Sequence, residues 1–276
     1  MVIDVFHFPF YGTILILAIF SGIFYIYYNL KNDICNKNYI LYYFIMFITF
    51  CFIGAKFYTS IVYLESNLFE AGLSSYGALL GVILSSIIFE KIVPLNNKLI
   101  KYTILSLPLI YGISKLGCFL SGCCYGIPYS GPLYVIYKNN LNIKLFPIQL
   151  LESIIFILIF IICNKFKTKK NIAYITLITC NILKFILDFL RYDHLNMIIT
   201  KNQIVSLVLI LLVVLFYKYR KKVLIWTFLN YNSTLWYISV TSSISSNKLY
   251  NLRNNSLSSP SSFIFSLGYI PTSSIS

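Results

Sequence analysis

Residues 11–29 read YGTILILAIFSGIFYIYYN, a stretch of 19 residues without a single charged side chain. The hydrocarbon core of a bilayer, roughly 30 Å thick, is crossed by about 20 helical residues, so this stretch predicts a transmembrane helix. Six more apolar stretches of similar length follow. The seven predicted helices cover residues 11–29, 39–58, 75–92, 102–121, 147–163, 171–190 and 202–219. The sequence therefore predicts an all-α, polytopic integral membrane protein with seven transmembrane helices.

The composition is that of a chain solvated by lipid. Apolar residues make up 58% of the sequence, charged residues only 11%, and the mean hydropathy is +0.79, which argues against a soluble protein. No Lys or Arg precedes the first apolar stretch, and Asp4 does. This pattern differs from a secretory signal peptide, so we expect the first helix to remain as a membrane anchor.

The basic residues are divided unequally between alternate connections. Thirteen of the 22 lie in one set of connections and five in the other. The richer set holds Lys31, Lys37, Lys91, Lys98, Lys101, Lys165, Lys167, Lys169, Lys170, Lys218, Arg220, Lys221 and Lys222. Because Lys and Arg favour cytoplasmic loops, we expect the amino terminus outside and the carboxyl terminus in the cytoplasm. The net charge of +14 then reflects topology and attraction to anionic membrane lipid, and no nucleic acid partner is expected.

Other ionisable residues gather at the outer ends of the predicted helices. They are Asp4, Lys56, Glu65, Glu70, Lys115, Glu152, Lys184, Asp188, Arg191 and Asp193. Charges at membrane depth usually pair or line a polar cavity, so we predict a polar cavity that faces outward. Lys184, Asp188 and Arg191 share one face of the sixth helix by their spacings of four and three. In a plainer interpretation, Lys184 and Asp188 only neutralise each other while Arg191 reaches lipid headgroups.

Two further segments reach the same outer level. The first, His7–Phe–Pro–Phe–Tyr11–Gly12, opens the first helix, and an aromatic belt at the interface explains it equally well. The second is a small-residue run, 72–81, at the start of the third helix, where close helix packing accounts for the glycines. Tyr76 within that run adds a hydroxyl that can donate to a phosphate or act as an acid or base.

The most unusual segment is 112–128, GISKLGCFLSGCCYGIP. Its four glycines and its proline make a long regular helix improbable, so we expect irregular backbone that lines a cavity. Residues 130–145 form a small external arm in this interpretation. Phe146–Pro147–Ile–Gln149–Leu–Leu–Glu152 then leads into the fifth helix, where Glu152 can also serve as a simple partner of the helix dipole.

These motifs together resemble the phosphatidylglycerol-prolipoprotein diacylglyceryl transferase family, over residues from about 5 to 220. Members of that family show, in order, Tyr-Gly, His-Gly-Gly-Leu-Ile-Gly, Arg-x-Gly-Asn-Phe-x-Asn-Gly-Glu, His-Pro-x-Gln-Leu-Tyr-Glu and Glu-Phe-x-Arg. Here the corresponding segments are 11–12, 76–81, 115–123, 146–152 and 188–191. The order, the spacing and the predicted topology agree with the family pattern.

Several family positions carry a different residue here. Tyr76 stands at the family His, Lys115 at the signature Arg, and Cys118 and Cys123 at the signature Asn and Glu. Lys115 keeps the charge of an arginine but loses its two-pronged recognition of phosphate. The late arginine survives as Arg191. The pattern Gly-Cys-Phe-x-x-Gly-Cys-Cys-Tyr-Gly resembles a divergent branch of the family in which Tyr also replaces the His.

The resemblance implies a bacterial plasma membrane enzyme that moves a diacylglyceryl group from phosphatidylglycerol to the lipobox cysteine of prolipoprotein signal peptides. Its implied catalytic residues are Tyr11, Tyr76, Lys115 and Arg191, with the two cations on the phosphate and the two tyrosines donating to it or moving the thiol proton. The implied substrate-binding residues are Cys118, Ser121, Gly122, Cys123, Gly126, Gln149, Glu152, Lys184 and Asp188. Displacement at a glycerol carbon can proceed by positioning and charge, so we expect no metal and no cofactor.

The cysteines leave two alternatives open. Cys118, Cys123 and Cys124 lie on the predicted outer side, where Cys118 can form a disulfide with either of the other two. A membrane protein for thiol redox chemistry or metal handling through these three residues is one alternative function. A catalytically inactive relative that still binds lipid is the other, because of the changes at Tyr76, Lys115 and Cys118.

The carboxyl-terminal part of the chain has a different composition. We predict a membrane domain over residues 1–222 and a cytoplasmic tail of low complexity, rich in Ser and Asn, over residues 223–276. The asparagines near the start of this tail argue against an eighth transmembrane helix.

Overall fold

The computed structural model describes residues 2–3, 9–33, 37–63, 72–95, 97–137, 143–195 and 197–219. The chain divides into one unit of Met1–Tyr217 and a second of Lys218–Ser276. The predicted tail, 223–276, lies outside the described residues, as do Asp4, His7, Glu65 and Glu70.

Seven long helices form the first unit, in the order that the apolar stretches predict. They are α1 Pro9–Leu30, α2 Lys37–Tyr63, α3 Ser75–Ile92, α4 Lys98–Leu120, α5 Ile148–Lys165, α6 Ile172–Asp188 and α7 Lys201–Tyr219. All of these except α6 are long and apolar enough to cross a membrane. With 17 residues, α6 rises about 25 Å and ends at Asp188, two residues before the predicted end. The prediction of a polytopic, all-helical membrane protein is confirmed.

Helix α4 lies at the centre of the bundle. It packs against α1, α3, α5 and α6, and 56% of its span is buried inside the protein, against 11% for α7. The outer helices instead expose large apolar side chains, such as Phe24 on α1 and Phe52 on α2. Such apolar faces are favourable in contact with lipid. The burial pattern therefore indicates that other helices surround α4, whereas the outer helices face the lipid.

Helices α2 and α3 meet through glycines. A Cβ on Gly77 would collide with the carbonyl oxygen of Gly54, and one on Gly81 would collide with that of Phe50. The absence of side chains lets the two backbones approach closely, as small residues do in many membrane helix pairs. Gly77 and Gly81 therefore serve packing, which leaves Ser74, Ser75 and Tyr76 as the polar features of the 72–81 run.

The predicted irregular backbone over 112–128 is wrong for its first nine residues. Helix α4 continues without a break through Gly112 and Gly117 and ends at Leu120. At Gly112 a Cβ would meet Ile157 and the carbonyl of Ser153 on α5, and Gly117 packs against α1. These glycines permit close helix contacts and do not terminate the helix. Irregular backbone begins at Ser121.

An arm connects α4 to α5. Isolated bridges pair Pro128 and Val135 with Leu145, and β2 (Ile136–Tyr137) runs parallel to β1 (Val2–Ile3) near the amino terminus. A further bridge joins Gly126 to Arg191, immediately beyond α6. The start of the arm is thus fixed beside Arg191, and β2 joins the arm to the amino-terminal strand.

Candidate active site

A buried ion cluster joins three helix ends. Lys115 near the end of α4 places its Nζ 2.8 Å from Oε2 of Glu152 in the first turns of α5. Nη2 of Arg191, beyond α6, lies 2.7 Å from Oε1 of the same carboxylate. Glu152 is fully buried, and Lys115 and Arg191 are 5% and 8% exposed. One carboxylate therefore holds two cations inside the bundle, and the plainer interpretation of Glu152 as a helix-dipole partner does not account for this contact.

Tyr111 completes the cluster, and the sequence analysis missed it. Its hydroxyl donates to Oε1 of Glu152 over 3.3 Å and lies 3.4 Å from Nη2 of Arg191. The ammonium of Lys115 lies 5.1 Å from the centre of its ring. Tyr111 precedes Lys115 by four residues on α4, so helical spacing from a known charged residue is the signal that would have found it.

Lys184 and Asp188 lie on α6, but Arg191 lies three residues beyond its end, so the prediction that all three share one face of the sixth helix is wrong for Arg191. All three lie at this end of the bundle, but Lys184 and Asp188 do not pair. Asp188 lies 3.4 Å from Nε of Arg191 and accepts a short hydrogen bond from the hydroxyl of Thr200. His194 approaches the same carboxylate at 3.8 Å. The alternative in which Lys184 and Asp188 merely neutralise each other is therefore wrong, and Arg191 points into the protein.

Lys184 instead contacts α3. Its ammonium donates to Oγ of Ser75 over 2.7 Å and lies 3.6 Å from the centre of the Tyr76 ring. Tyr76 is 2% exposed, and its hydroxyl shares a short hydrogen bond with Ser206 of α7. A cation above an aromatic face is stabilised by the ring electrons, more so when both are shielded from water. Tyr76 and Lys184 therefore form a second pair beside the ion cluster.

Cations and carboxylates meet at this end of the bundle. Lys115 and Arg191 face the carboxylates of Glu152 and Asp188, and Lys184 lies beside them against Ser75 and Tyr76. Burial lowers and the neighbouring carboxylates raise the pKa of Arg191, and the net effect is a pKa well above its usual value. Nε of Arg191 faces Oδ1 of Asp188 over 3.4 Å, so the guanidinium is held between two carboxylates. An anionic group that enters this region meets two oriented cations, Lys115 and Arg191.

A group of thiols lies next to the cluster. The sulfur atoms of Cys118, Cys123 and Cys124 all lie within 4.8 Å of one another, and each thiol is free. Tyr11, at the start of α1, interacts electrostatically with all three and with Lys115. Hydrogen bonds from the other two thiols lower the pKa of Cys124 well below its usual range, and Lys115 and Arg191 lower it further. The disulfide expected at Cys118 is not formed in this structure.

The remaining predicted residues hold the turn that follows α4. Gln149 is fully buried and donates to the carbonyl of Cys123 over 2.7 Å, and Ser121 donates to Sγ of Cys123 over 3.3 Å. Gly122 adopts φ 63°, in the left-handed region, and the amide of Gly126 donates to the carbonyl of Phe146. A Cβ at Gly126 would collide with Phe146 and Leu190. These residues form the wall beside the ion cluster.

A family model described as prolipoprotein diacylglyceryl transferase matches residues 1–219. This chain belongs to that family. Among curated relatives, the phosphatidylglycerol–prolipoprotein diacylglyceryl transferase of Clostridium tetani is 31% identical over 153 residues, which is 51% of this chain and 61% of the relative. A transferase of Clostridium perfringens is 28% identical over 55% of this chain and 64% of its own length. That of Finegoldia magna is 26% identical over 78% of this chain and 92% of its own length.

The alignments to the two Clostridium transferases span less than two thirds of those relatives' length. The match to the prolipoprotein diacylglyceryl transferase family covers every residue of the ion cluster. The chain is therefore a multi-pass membrane protein of a bacterial transferase family. Its buried charged residues lie together at one end of the helix bundle.

Proposed function

We propose that this protein transfers the diacylglyceryl group of phosphatidylglycerol to the lipobox cysteine thiol of prolipoprotein signal peptides. The observation that carries this proposal is the buried cluster in which Lys115 and Arg191 share the carboxylate of Glu152. The curated relatives bear the name of this activity, and the family match extends over the whole helix bundle.

The reaction exchanges one bond at a glycerol carbon. The cysteine sulfur forms a thioether bond to that carbon, the carbon–oxygen bond to phosphate breaks, and glycerol phosphate leaves with the bonding electrons. The thiol gives up its proton as it attacks. The enzyme therefore has two tasks, which are to hold the departing phosphate charge and to favour the thiolate.

Arg191 and Lys115 perform the first task. Both are oriented by Glu152 through one nitrogen atom each, and an ammonium and a guanidinium carry further N–H donors besides those that bind this carboxylate. Donors held rigidly in a site with little water stabilise developing charge more than mobile donors in solution do. Asp188 positions the guanidinium from its other side over 3.4 Å.

The phenols of Tyr76 and Tyr11 and the positive field perform the second task, which is to favour the thiolate. The ring of Tyr76 lies under Lys184, and Tyr11 interacts electrostatically with Lys115 and the thiols, so each tyrosine is associated with a different cation. A positive field favours the thiolate of an incoming cysteine, and a phenol can carry the released proton onward. The buried Oε1 of Gln149, which has no partner among the described residues, is available to a donor of the substrate.

The site lies at the end of the bundle formed by the starts of α1, α3, α5 and α7 and the ends of α4 and α6. We propose that this end faces outward, with the amino terminus outside and the carboxyl terminus in the cytoplasm. The lysine-rich connections around Lys31, Lys98 and Lys167 support this orientation. Phosphatidylglycerol then enters from the membrane, with its acyl chains between helices.

The direct test is mass spectrometry of a lipobox peptide incubated with the purified protein and phosphatidylglycerol in detergent. We expect a diacylglyceryl adduct on the peptide cysteine, and none with the Arg191→Ala variant. Lys98→Ala, at the opposite end of the bundle, is the matched control and should keep full activity. Failure of the intact protein to form an adduct while it still binds the lipid would identify an inactive lipid-binding relative.

A further inference from the structure

The thiol cluster beside the ion cluster has the geometry of a ligand site. Cys118, Cys123 and Cys124 each bring one sulfur atom to within 4.8 Å of the other two. Three sulfurs arranged around one ion at about 2.3 Å would stand about 4.0 Å apart, so closure of the site needs shifts of less than about 1 Å. We propose that these three cysteines bind a soft monovalent cation, Cu(I), in trigonal sulfur coordination.

The backbone holds the three sulfurs together before any ion arrives. Cys118 lies in the last turn of α4, and the amide of Cys123 donates back to its carbonyl over 3.1 Å. Gly122 at φ 63° and Cys124 at φ 56° both adopt left-handed backbone, which is unfavourable for a cysteine. Such strain persists where the surrounding structure fixes it, and here the turn brings Sγ of Cys124 to the other sulfurs.

The surroundings orient the ligands as a metal site requires. Ser121 donates to Sγ of Cys123, and Gln149 fixes the carbonyl of that residue. Hydrogen bonds to the ligands of a metal set their orientation and tune their affinity. Cys118 is buried, Cys123 is half-buried and Cys124 is exposed, so the site has a closed base and an open entrance.

The ligand chemistry selects the ion. Thiolates are soft ligands that prefer Cu(I), whereas a structural zinc site requires four protein ligands. Among the described residues, the group of His, Cys, Asp and Glu at this position consists of the three cysteines alone. Lys115 and Arg191 interact electrostatically with Cys124 and favour its thiolate form.

Binding involves no change of oxidation state. Three copper–sulfur bonds form, the three thiol protons pass to solvent, and copper stays Cu(I) throughout. The site does not depend on the proposed transferase activity, because lipid transfer and copper binding are measured separately. A protein that fails one assay can still pass the other.

The test is anaerobic titration of the full-length, reduced protein in detergent with Cu(I) in competition with a chromogenic Cu(I) chelator. We expect one tightly held Cu(I) per chain, with copper–sulfur absorption in the near ultraviolet and an X-ray absorption spectrum that contains sulfur neighbours only. Each of Cys118→Ser, Cys123→Ser and Cys124→Ser should abolish this tight binding. Ser121→Ala should weaken it by about tenfold, since it removes a hydrogen bond to a ligand.

The matched control replaces Cys51, Cys163 and Cys180, which lie on the helices α2, α5 and α6, by serine. This variant should bind copper as the parent protein does. The thermal unfolding midpoint of each variant in detergent shows whether it is folded. The proposal is overturned if folded parent protein holds no Cu(I), or if the three single variants retain it while the control loses it.

Discussion

A lysine–carboxylate ion pair lies at each end of the bundle. At one end Lys115 and Glu152 have side chains 7% and 0% exposed, and Arg191 binds the same carboxylate. At the other end Lys98 meets Asp33, with side chains 46% and 34% exposed. Both pairs are held by Coulomb attraction, but the surroundings of the two pairs differ. Water screens the second pair, while the first has lost its hydration.

The difference indicates which pair serves function. Removing a lysine, an arginine and a glutamate from water costs several kcal/mol per ion, and apolar residues of similar volume often stabilise a fold as well or better. A membrane protein that keeps such a cluster at the end of its helices usually uses it. The exposed pair needs no such explanation, since it costs little to form and contributes little.

The largest effect is expected from Glu152→Gln. This change leaves Lys115 and Arg191 buried together without their carboxylate, so we expect destabilisation by roughly 3–5 kcal/mol and loss of lipid transfer. Thermal unfolding in detergent and the peptide assay measure the two effects. Asp33→Asn, the equivalent change in the exposed pair, is the control. Equal stability of the two variants would remove the distinction between the two ends.

A second change tests the shape of the cation and keeps its charge. Arg191→Lys loses the donors that reach Glu152 and Asp188 at the same time, so we expect transfer to fall on the order of 10²-fold. The fall should lie in kcat, because a guanidinium held by both carboxylates stabilises the charge of the departing phosphate better than a lysine ammonium does. Lipid binding that weakens in equal measure, with kcat unchanged, would assign Arg191 to ground-state binding.

A third experiment uses the thiols at the charged end. Hydrogen bonds from Cys118 and Cys123, helped by Lys115 and Arg191, lower the pKa of Cys124, so its thiolate persists to lower pH than that of a free cysteine at about 8.5. Cys124 is also exposed. We expect maleimide to modify Cys124 first and its rate to reach half of the maximum at a lower pH than for free cysteine, as peptide mass mapping across pH would show. A midpoint at or above that of free cysteine contradicts this.

The smallest effect is expected from Lys98→Met at the opposite end. The pair with Asp33 is solvent-exposed, so its loss should leave the unfolding midpoint and the transfer rate unchanged within error. Measurement at low and high salt makes the test sharper, because a screened pair should show its small contribution only at low salt. Strong loss of activity in Lys98→Met would mean that this end of the bundle also serves the reaction.

Much of this architecture could be predicted from the sequence. Apolar length alone locates the seven helices, and the position of Lys184, Asp188 and Arg191 near the end of the sixth apolar stretch places them at one end of the bundle. The partners of these residues could not be predicted in this way. Asp188 binds Thr200 and Arg191, and Lys184 binds Ser75, because tertiary packing chooses among several charges at the same depth.

The error at Gly112 and Gly117 has a physical reason. A glycine in sequence signals either a break in a helix or a close helix contact, and the choice depends on what lies opposite. Here α5 and α1 lie opposite, so α4 stays regular. Tyr111 was missed for a related reason, since one tyrosine among 24 is not distinctive until its neighbour Glu152 is known.

The contact of α2 with α3 at Gly54, Gly77 and Gly81 limits how this protein can diverge. Even a methyl group at these positions meets backbone atoms, which cannot rotate away as a side chain could. Even mutation to alanine, the smallest possible change, is therefore not tolerated at any of the three positions. Neutral change in this helix pair is restricted to the lipid-facing side, where one apolar residue can replace another, so the two helices should drift in sequence while their separation stays constant.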